Sequence, residues 1–183
     1  MIKSIKIKYN EDVIPKMKEK FNYGNDLAVP RVEKIIVNTG IGKFHGERDR
    51  VEETLKDIQL ITGQNPVKTR ARKAIAGFKI RENMEIGMKV TLRGKRMWDF
   101  MDRLINAALP RTRDFQGISS NSVDKNGNLS IGVKEHIVFP EIFSEQVRNI
   151  FSLQITLVTS AKNKREGLEL FKLLGFPIKS RIA

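Results

Sequence analysis

The sequence predicts an α+β domain in which helices cover one face of a mostly antiparallel sheet of about five strands, while the other face stays open and polar. Three observations lead to this prediction. Residues 88–93 alternate apolar and polar side chains, which is typical of a strand with one buried face. Residues 47–62 carry apolar side chains at the spacing of an amphipathic helix. Strand and helix patterns of these two kinds follow one another along the chain, without an internal repeat.

Strand segments are recognised by β-branched residues and by alternation with a period of two. They are predicted near residues 3–9, 32–38, 67–72, 88–93, 119–133 and 153–160. The segment 119–133 contains an Asn126-Gly127 turn, so 119–123 is expected to pair with 129–133 as a hairpin. Within 88–93, the polar face of the strand is predicted to carry Lys89, Thr91 and Arg93.

Helices are predicted around residues 12–21, 47–62 and 95–109 and from Asn163 onward, with a weaker helical pattern over 143–151. Gly63 directly follows the second helix and suits a left-handed C-cap. Pro110 is expected to stop the third helix. Asn163 and Glu166 have the spacing of a capping box at the start of the last helix. At 183 residues the chain is long enough to bury roughly 70% of its unfolded surface, so we expect a single domain over residues 1–183.

A glycine-rich segment, Thr39 to Gly46, raises the question of a nucleotide-binding loop. A P-loop at this position would need glycine at 37 and serine or threonine at 44, but the chain has Val37 and Phe44. The dinucleotide fingerprint would need glycine at 45, where the chain has His45. Neither pattern is present, and a flexible turn is the expected use of these glycines.

Composition restricts the chemistry that the chain can carry out. Cysteine is absent, which excludes thiolate nucleophiles, disulfides and thiolate metal sites and suits a reducing compartment. The two histidines, His45 and His136, each stand alone without a second ligand at a metal-binding spacing. We therefore expect no metal, no cofactor and no catalytic residue.

Positive charge dominates the composition. Lysine and arginine number 34 against 21 aspartate and glutamate residues, a formal net charge of +13. This surplus favours a partner with a regular array of phosphates, and an anionic membrane is the alternative that charge alone leaves open. No apolar run approaches the ~20 residues that span a bilayer, and the N-terminus lacks the pattern of a cleaved signal. The expected location is the cytoplasm or the interior of an organelle.

The charge is concentrated between Lys68 and Arg96. This stretch contains ten lysines and arginines and two glutamates, so it supplies +8 of the +13. The cations in its first half flank an Ala76-Gly77 break, which predicts a projecting basic loop over residues 70–86. A basic loop beside a polar strand face predicts a surface for polyanions.

Blocks of sequence that follow one another along nearly the whole chain are similar to those of one known family. They are PRVEK (30–34), TGQNP (62–66), ARK (71–73), AGFKIR (76–81), GMKVTLRG (87–94), MW (97–98), PRTRDF (110–115), FPEI (139–142) and FP (176–177). In these blocks the chain resembles the large-subunit ribosomal protein L5 family of bacteria and organelles, which binds 5S ribosomal RNA. Because the blocks are long and collinear, chance is a poor explanation of the match.

The resemblance implies a structural RNA-binding protein of the central protuberance of the large ribosomal subunit, with a role in translation. The residues that it assigns to 5S rRNA are expected on or beside the open sheet face. They are Asn38, Gln64, Lys68, Lys89, Thr91 and Arg93. Short hydrogen-bonding side chains and cations suit RNA, whose shape, phosphates and 2′-hydroxyl groups are the features that proteins contact.

The resemblance also implies that the basic loop approaches the elbow of the tRNA in the peptidyl site (P-site tRNA). The residues that it assigns to this contact are Arg70, Arg72, Lys73, Ala76, Gly77, Phe78, Lys79 and Arg81. The cations would hold phosphates, and the small Ala76-Gly77 tip would let the backbone come close.

Further partners implied by the resemblance are 23S rRNA, neighbouring proteins of the central protuberance and the small-subunit ribosomal protein thirteen, across the subunit interface. The residues assigned to that intersubunit contact are Arg111, Arg113, Glu135 and His136. Contacts that must re-form as the subunits rotate favour a modest polar interface.

An enzyme and a membrane-surface module are the two alternatives to an RNA-binding structural protein. An RNA-acting enzyme would need a nucleophile paired with a base, or a cofactor loop, and the sequence offers only the carboxylate pairs Glu52-Glu53 and Asp99/Asp102. A membrane-surface module would need a helix with a basic face opposite a large apolar aromatic face, and no segment has this pattern. The sequence therefore predicts neither an enzyme nor a membrane-bound protein.

Overall fold

Five strands form one antiparallel sheet in the computed structural model of the chain, which describes residues 4–44, 47–143, 147 and 149–179. The strands are β1 (Val32–Gly40), β2 (Val67–Arg70), β3 (Glu85–Leu92), β4 (Leu129–Val133) and β5 (Leu153–Thr159). Their order across the sheet is β2-β3-β1-β5-β4, and all four neighbouring pairs are antiparallel. β1 is central, whereas β2 and β4 form the two edges.

Helices lie against one face of this sheet, which confirms the predicted α+β class. They are α1 (Ile5–Lys8), α2 (Ile14–Phe21), α3 (Arg48–Thr62), α4 (Gly94–Arg103), α5 (Leu109–Arg111) and α6 (Lys164–Leu174). A π-helical segment, Tyr9–Val13, joins α1 to α2, and a second one, Leu104–Ala108, joins α4 to α5.

The alternation along the strands separates a buried face from an open one. In β5, Leu153, Ile155 and Leu157 are buried, while the residues between them are partly or fully exposed. Val37 of β1 is opposite both Val90 of β3 and Ile155 of β5, so the buried side chains form layers that cross the sheet. Burying each such side chain stabilises the fold by roughly 1.5–3 kcal/mol relative to leaving it exposed. The apolar core therefore lies between this face and the helices.

Helix ends follow the capping signals in the sequence. Gly63 takes the left-handed conformation after α3, with φ +66°, and its N–H donates to the Gln59 carbonyl at 2.8 Å. At the start of α6, Asn163 Oδ1 accepts from the Glu166 N–H at 2.9 Å. The Glu166 carboxylate in turn accepts from the Lys162 N–H at 2.9 Å. The predicted C-cap is confirmed, and the predicted capping pair of Asn163 and Glu166 is present, although the Glu166 carboxylate accepts from the residue before the N-cap instead of from the N-cap itself.

The N-terminal strand prediction is wrong, because the described part of residues 3–9 is helical. Ile5, Tyr9, Val13 and Met17 are buried at a spacing of four, so one apolar stripe runs from α1 through the π-helical segment into α2. The alternation of lysine and isoleucine over a few residues resembles a strand, but the spacing of four that continues to Met17 is that of a helix. A carboxylate oxygen of Asp102 in α4 accepts from the Ile5 N–H at 3.1 Å and so caps the start of α1.

Three further segments differ from the predictions. Residues 119–123 do not form a hairpin strand: Ser120–Ser122 is a 3₁₀ turn, only Val123 bridges to Leu129, and β4 pairs instead with β5. The described residues of 143–151 are not helical, and 144–146 and 148 lie outside the described residues. Pro110 occupies the first turn of α5, where its missing N–H is tolerated, so the helix ends at Arg111 rather than before the proline. His45 also lies outside the described residues.

Candidate nucleic-acid interface

A row of polar side chains crosses the open face of the sheet. Asn38 of β1 is opposite Lys89 of β3 on one side and Gln154 of β5 on the other. All three side chains are exposed. Gly132 of β4 continues the row beyond Gln154, and Val67 of β2 begins it beside Lys89. The row therefore spans all five strands and places a cation, an amide and a second amide next to one another.

A second row lies two residues along each strand. Thr91 of β3 and Thr156 of β5 flank Ile36 of β1, and Ser130 of β4 is opposite Thr156. The Ser130 and Thr156 hydroxyl oxygens are 3.2 Å apart, within hydrogen-bonding distance. Gln64, which lies between α3 and β2, donates from Nε2 to the Thr91 carbonyl at 3.5 Å. The structure thus brings Gln64 beside Thr91, at the sheet face on or beside which the resemblance placed both residues.

Arg93 extends the polar face at the end of β3. It follows Leu92 directly, has an extended backbone with φ −140° and ψ 165°, and precedes the first residue of α4. Its side chain is exposed. Since Lys89, Thr91 and Arg93 alternate with the buried Met88, Val90 and Leu92, the predicted division of this strand into two faces is confirmed.

Lys68 does not join this group. It is opposite Met88, which is buried, whereas its neighbour Val67 is opposite the exposed Lys89. Lys68 therefore lies on the helix-covered side of the sheet, where its Nζ pairs with a Glu85 carboxylate oxygen at 2.8 Å. Five of the six residues assigned to 5S rRNA share one region, and Lys68 is corrected to the opposite face because a strand turns neighbouring side chains to opposite sides.

The basic loop, residues 70–86, leaves the sheet between β2 and β3. Ala71 is buried and tied to the far arm of the loop, since its N–H donates to the Met84 carbonyl at 2.8 Å and its carbonyl accepts from the Asn83 N–H at 2.9 Å. Nearer the tip, Ile75 and Ile80 form a bridge that closes a 3₁₀ turn, Ala76–Phe78. The loop therefore has its own backbone pairing while its outer part remains in solvent.

Every loop residue assigned to tRNA is exposed. These residues are Arg70, Arg72, Lys73, Ala76, Gly77, Phe78, Lys79 and Arg81. None of the five cations among them takes part in an ion pair within the part of the chain that the structure describes. Unpaired cations on an exposed loop are available to phosphates without first giving up an internal partner.

Of the four residues assigned to an intersubunit contact, only two line a common groove. Arg113 and Glu135 line one groove between the 112–119 loop and β4, together with Lys134. Arg111 is exposed at the end of α5 but is not part of that groove lining. The His136 side chain is 0% exposed, so it offers no surface to a partner and is withdrawn from the set.

His136 instead belongs to the interior. Its ring stacks on Phe151, with the centroids 3.9 Å apart and the planes 11° from parallel, and its Nδ1 accepts from the Phe151 N–H at 3.4 Å. Its Nε2 lies 3.4 Å from an Asp57 carboxylate oxygen of α3. Burial lowers the pKa of His136 to about 4, so the imidazole is neutral at neutral pH and this contact is not an ion pair. His136 links the loop after β4 to α3.

One carboxylate of each pair considered for an enzyme has a structural partner. A Glu53 oxygen accepts from Asn149 Nδ2 at 2.7 Å, and Asp102 caps the start of α1. Over the described ranges, no cluster of three or more metal-binding side chains occurs. Within the same residues, no helix has both the length and the apolar character that crossing a bilayer requires.

Sequence reasoning missed the β5 and β4 part of the open face. Gln154, Thr156 and Ser130 extend it as polar side chains, and Gly40 and Gly132 extend it without side chains. The alternation of 153–160 did contain the signal, because Gln154 and Thr156 fall between buried residues. What it could not supply was the pairing of β5 with β1, which brings these residues beside Asn38.

A helix-backed sheet with an uncovered polar face and an adjoining loop of unpaired cations defines a class of structural, polyanion-binding α+β proteins. Comparison with known protein families identifies the particular family within this class. The family model described as "Ribosomal protein L5" matches residues 25–81, and the model that describes the C-terminus of the same ribosomal family matches residues 85–178. The two matches share one sheet, because β1 and β2 fall in the first and β3, β4 and β5 in the second.

Individual relatives agree with these matches. The chain is 52% identical to the large ribosomal subunit protein uL5 of Halothermothrix orenii, over 92% of this chain and 94% of that protein. It is 50% identical to uL5 of Microcystis aeruginosa, over 98% of this chain and 100% of that protein. It is 52% identical to uL5c of Stigeoclonium helveticum, over 94% of this chain and 96% of that protein. The chain therefore belongs to the ribosomal protein L5 family, whose members are structural components of the ribosome and not enzymes.

Proposed function

We propose that this protein is a structural constituent of the large ribosomal subunit that binds 5S rRNA through the open face of its sheet. The observation that carries the proposal is the row Lys89, Asn38 and Gln154, which crosses three adjacent strands with all side chains exposed. Membership of the ribosomal protein L5 family, and relatives named as large-subunit proteins, support the ribosomal setting.

The chemistry of the open face suits a folded RNA. Asn38 and Thr91 offer short hydrogen-bonding groups on the strands of the sheet, so little conformational entropy is lost when they bind, and Gln154 adds a longer amide that can reach further. Lys89 and Arg93 add cations for phosphates. Recognition of RNA through shape, 2′-hydroxyl groups and phosphates needs this mixture rather than a uniformly basic surface.

The basic loop would reach a second RNA, the elbow of the P-site tRNA. Its five unpaired cations and exposed tip support this part of the proposal. Contacts to phosphates position an RNA without reading its sequence, which suits a site that must accept every tRNA in turn.

The remaining contacts of the proposal lie at the other edge of the sheet and around the protein. Arg111, Arg113 and Glu135 would face small-subunit protein thirteen across the subunit interface, and 23S rRNA and neighbouring proteins would complete the central protuberance. Arg113 and Glu135 line a common groove, which supports a shared contact. His136 has no part in it because its side chain is buried.

Two lysines on adjacent strands give a matched test of the open face. Lys89→Ala removes a cation from the open face, whereas Lys68→Ala removes one from the opposite face, so both variants change the net charge equally. In a titration of a 5S rRNA transcript at several salt concentrations, we expect Lys89→Ala to weaken binding and to reduce the log–log salt slope by up to about 0.9, the value for one phosphate contact. Lys68→Ala should match the parent chain.

Equal effects of the two substitutions would show that overall charge, and not the open face, governs binding. Weaker binding by Lys68→Ala alone would transfer the interface to the helix-covered side. Circular dichroism and urea unfolding of both variants establish that the fold is retained before the affinities are compared.

A further inference from the structure

A trough separates the open face from the tip of the basic loop. It is lined by the end of β1, the loop that follows it, the start of β5 and the loop tip, and the residues used below are Gly40, Lys43, Phe78, Lys134, Ile150 and Ser152. Its volume is about 690 Å³, within the ~300–1,000 Å³ that pockets for small ligands occupy. The trough therefore has room for a compact group on a larger partner.

Two large apolar side chains face solvent at the trough. Phe78 is 76% exposed and Ile150 is 57% exposed. They come from different parts of the chain, the loop tip and the segment before β5, and the trough brings them together. Convergent exposed apolar side chains mark binding surfaces more often than single scattered ones do.

At Gly40 the floor of the trough has no side chain. A Cβ added at Gly40 would meet no atom within 4 Å, so the space above this backbone is empty. The neighbouring segment is fixed in place, since Thr39 Oγ1 donates to the Ser152 carbonyl at 2.7 Å and Thr39 is buried. A flat group could thus lie against the Gly40 backbone without moving the sheet.

The charged side chains in the described lining of the trough have one sign. Lys43 and Lys134 are exposed on its rim, and no aspartate or glutamate is among the described residues that line it. Neither lysine forms an ion pair with any described residue. An occupant with a flat apolar body and a nearby negative charge complements this surface, whereas an apolar peptide would leave both cations unused.

We propose that the trough binds one unstacked nucleotide of an RNA, with its base against Phe78 and its flanking phosphates near Lys43 and Lys134. The inference rests on the proposed function, because the RNA must first be held by the open face or the basic loop. A base taken out of its stack and placed on an aromatic ring is a common way in which proteins recognise looped RNA. The trough then adds a contact with an unpaired nucleotide to two surfaces that read shape and phosphates.

The test compares two exposed phenylalanines by fluorescence anisotropy. Phe78→Ala removes the proposed stacking ring, and Phe143→Ala removes a ring that is 72% exposed but lies outside the trough. Both variants and the parent chain are titrated with a 5S rRNA transcript, a tRNA transcript and fragments of large-subunit rRNA. We expect Phe78→Ala to lose roughly five- to a hundredfold in affinity for the RNA that supplies the nucleotide, with an unchanged salt slope.

Further variants separate stacking from shape and charge. Phe78→Trp should keep or improve the affinity because a larger ring stacks at least as well, and Lys43→Ala with Lys134→Ala should reduce the salt slope. Gly40→Val, which fills the floor, should weaken binding, while Gly24→Val, also in open space, should not.

The proposal is overturned if Phe78→Ala stays within about twofold of Phe143→Ala for every RNA, or if Phe78→Trp loses as much affinity as Phe78→Ala. In either case the parent chain still binds RNA, and only the trough proposal fails. A parent chain that binds none of the RNAs would remove the proposed function together with it.

Discussion

At the scale of single residues, His136 shows how burial changes both the role and the protonation of a polar side chain. The ring is enclosed between Phe151 and Asp57, so it connects the loop after β4 to α3 and contacts no partner. Its pKa is lowered to about 4 chiefly because burial disfavours the charged imidazolium, although the nearby Glu53 charge acts in the opposite direction. The folded state therefore holds a neutral imidazole.

This pKa predicts a specific dependence of stability on pH. Unfolding restores the ordinary pKa of 6.5, so between about pH 4 and 6.5 the unfolded chain binds a proton that the folded chain does not. The free energy of unfolding should consequently fall as the pH drops from 6.5 towards 4, by up to roughly 3 kcal/mol from this residue. Urea unfolding at a series of pH values measures it.

The control is His136→Gln, which keeps a polar side chain and removes the titration. Asp57 acts in the opposite direction, because burial and the Glu53 charge raise its pKa and its protonated form favours the folded state at low pH. Asp57 is present in both proteins, so the difference between them reports the imidazole together with its contact to Asp57. Equal losses of stability in the two proteins between pH 6.5 and 4 would contradict this explanation.

Whether the sequence predicts the position of a single side chain depends on whether the alternation along its strand shows which face of the sheet the side chain occupies. For Lys89, Thr91 and Arg93 the alternation was sufficient, because β3 is an internal strand of the sheet and its other face is apolar. The face on which Lys68 lies could not be predicted, because β2 is a short edge strand. Val67 is exposed there, so the sequence does not reveal which side of the strand faces the helices. Burial of His136 depends on contacts with α3, which no local pattern contains.

At the scale of elements, the basic loop is a preformed cationic arm. Backbone pairing between Ala71 and the 83–84 segment and the Ile75–Ile80 bridge shape it, while its cations stay in solvent. Phosphate binding then needs little rearrangement of the backbone. The loop should contribute an affinity that depends strongly on salt.

Removing two loop cations tests this directly. Arg72→Ala combined with Lys73→Ala should weaken RNA binding across unrelated sequences and lower the log–log salt slope by up to about 1.8, or 0.9 per lost phosphate contact. A filter-binding titration against salt measures both quantities. The matched control removes Lys162 and Arg165, an exposed lysine and arginine at the start of α6.

A slope that stays the same in the loop variant, or falls equally in the control, would remove the basic loop from the interface. Both double variants lose two charges, so a difference between them reports the position of the charges and not their number.

Element prediction succeeded where a capping signal and a period agreed. α3 has its apolar stripe and Gly63, and α6 has its stripe and the Asn163–Glu166 box. The strand prediction for the N-terminus was wrong because its short alternating stretch is also the beginning of a longer helical stripe, from Ile5 to Met17. The helix buries more apolar surface than a short strand would. The turn at Asn126-Gly127 is present, but Ser120–Ser122 forms a 3₁₀ turn, so only Val123 bridges to Leu129 and no second hairpin strand forms.

At the scale of the whole molecule, the two faces of the sheet have different roles. Helices and the core cover one face, and the other face is open to a partner. The basic loop extends from the edge of the sheet formed by β2 and β3. The sequence predicted this architecture and the charge concentration. It could not predict the strand order, which brings Gln154 beside Asn38 and Gly132 beside Gln154, and which joins the open face to the trough.

Co-purification of RNA from a cell lysate tests the central claim most directly. The tagged chain is captured at physiological salt beside a variant that combines Asn38→Ala, Lys89→Ala and Gln154→Ala, and the bound RNA is identified by sequencing. The account predicts that 5S rRNA is strongly enriched with the parent chain and lost with the open-face variant, which remains folded. Equal recovery of 5S rRNA with both proteins, or no enrichment over other small RNAs with the parent chain, would contradict it.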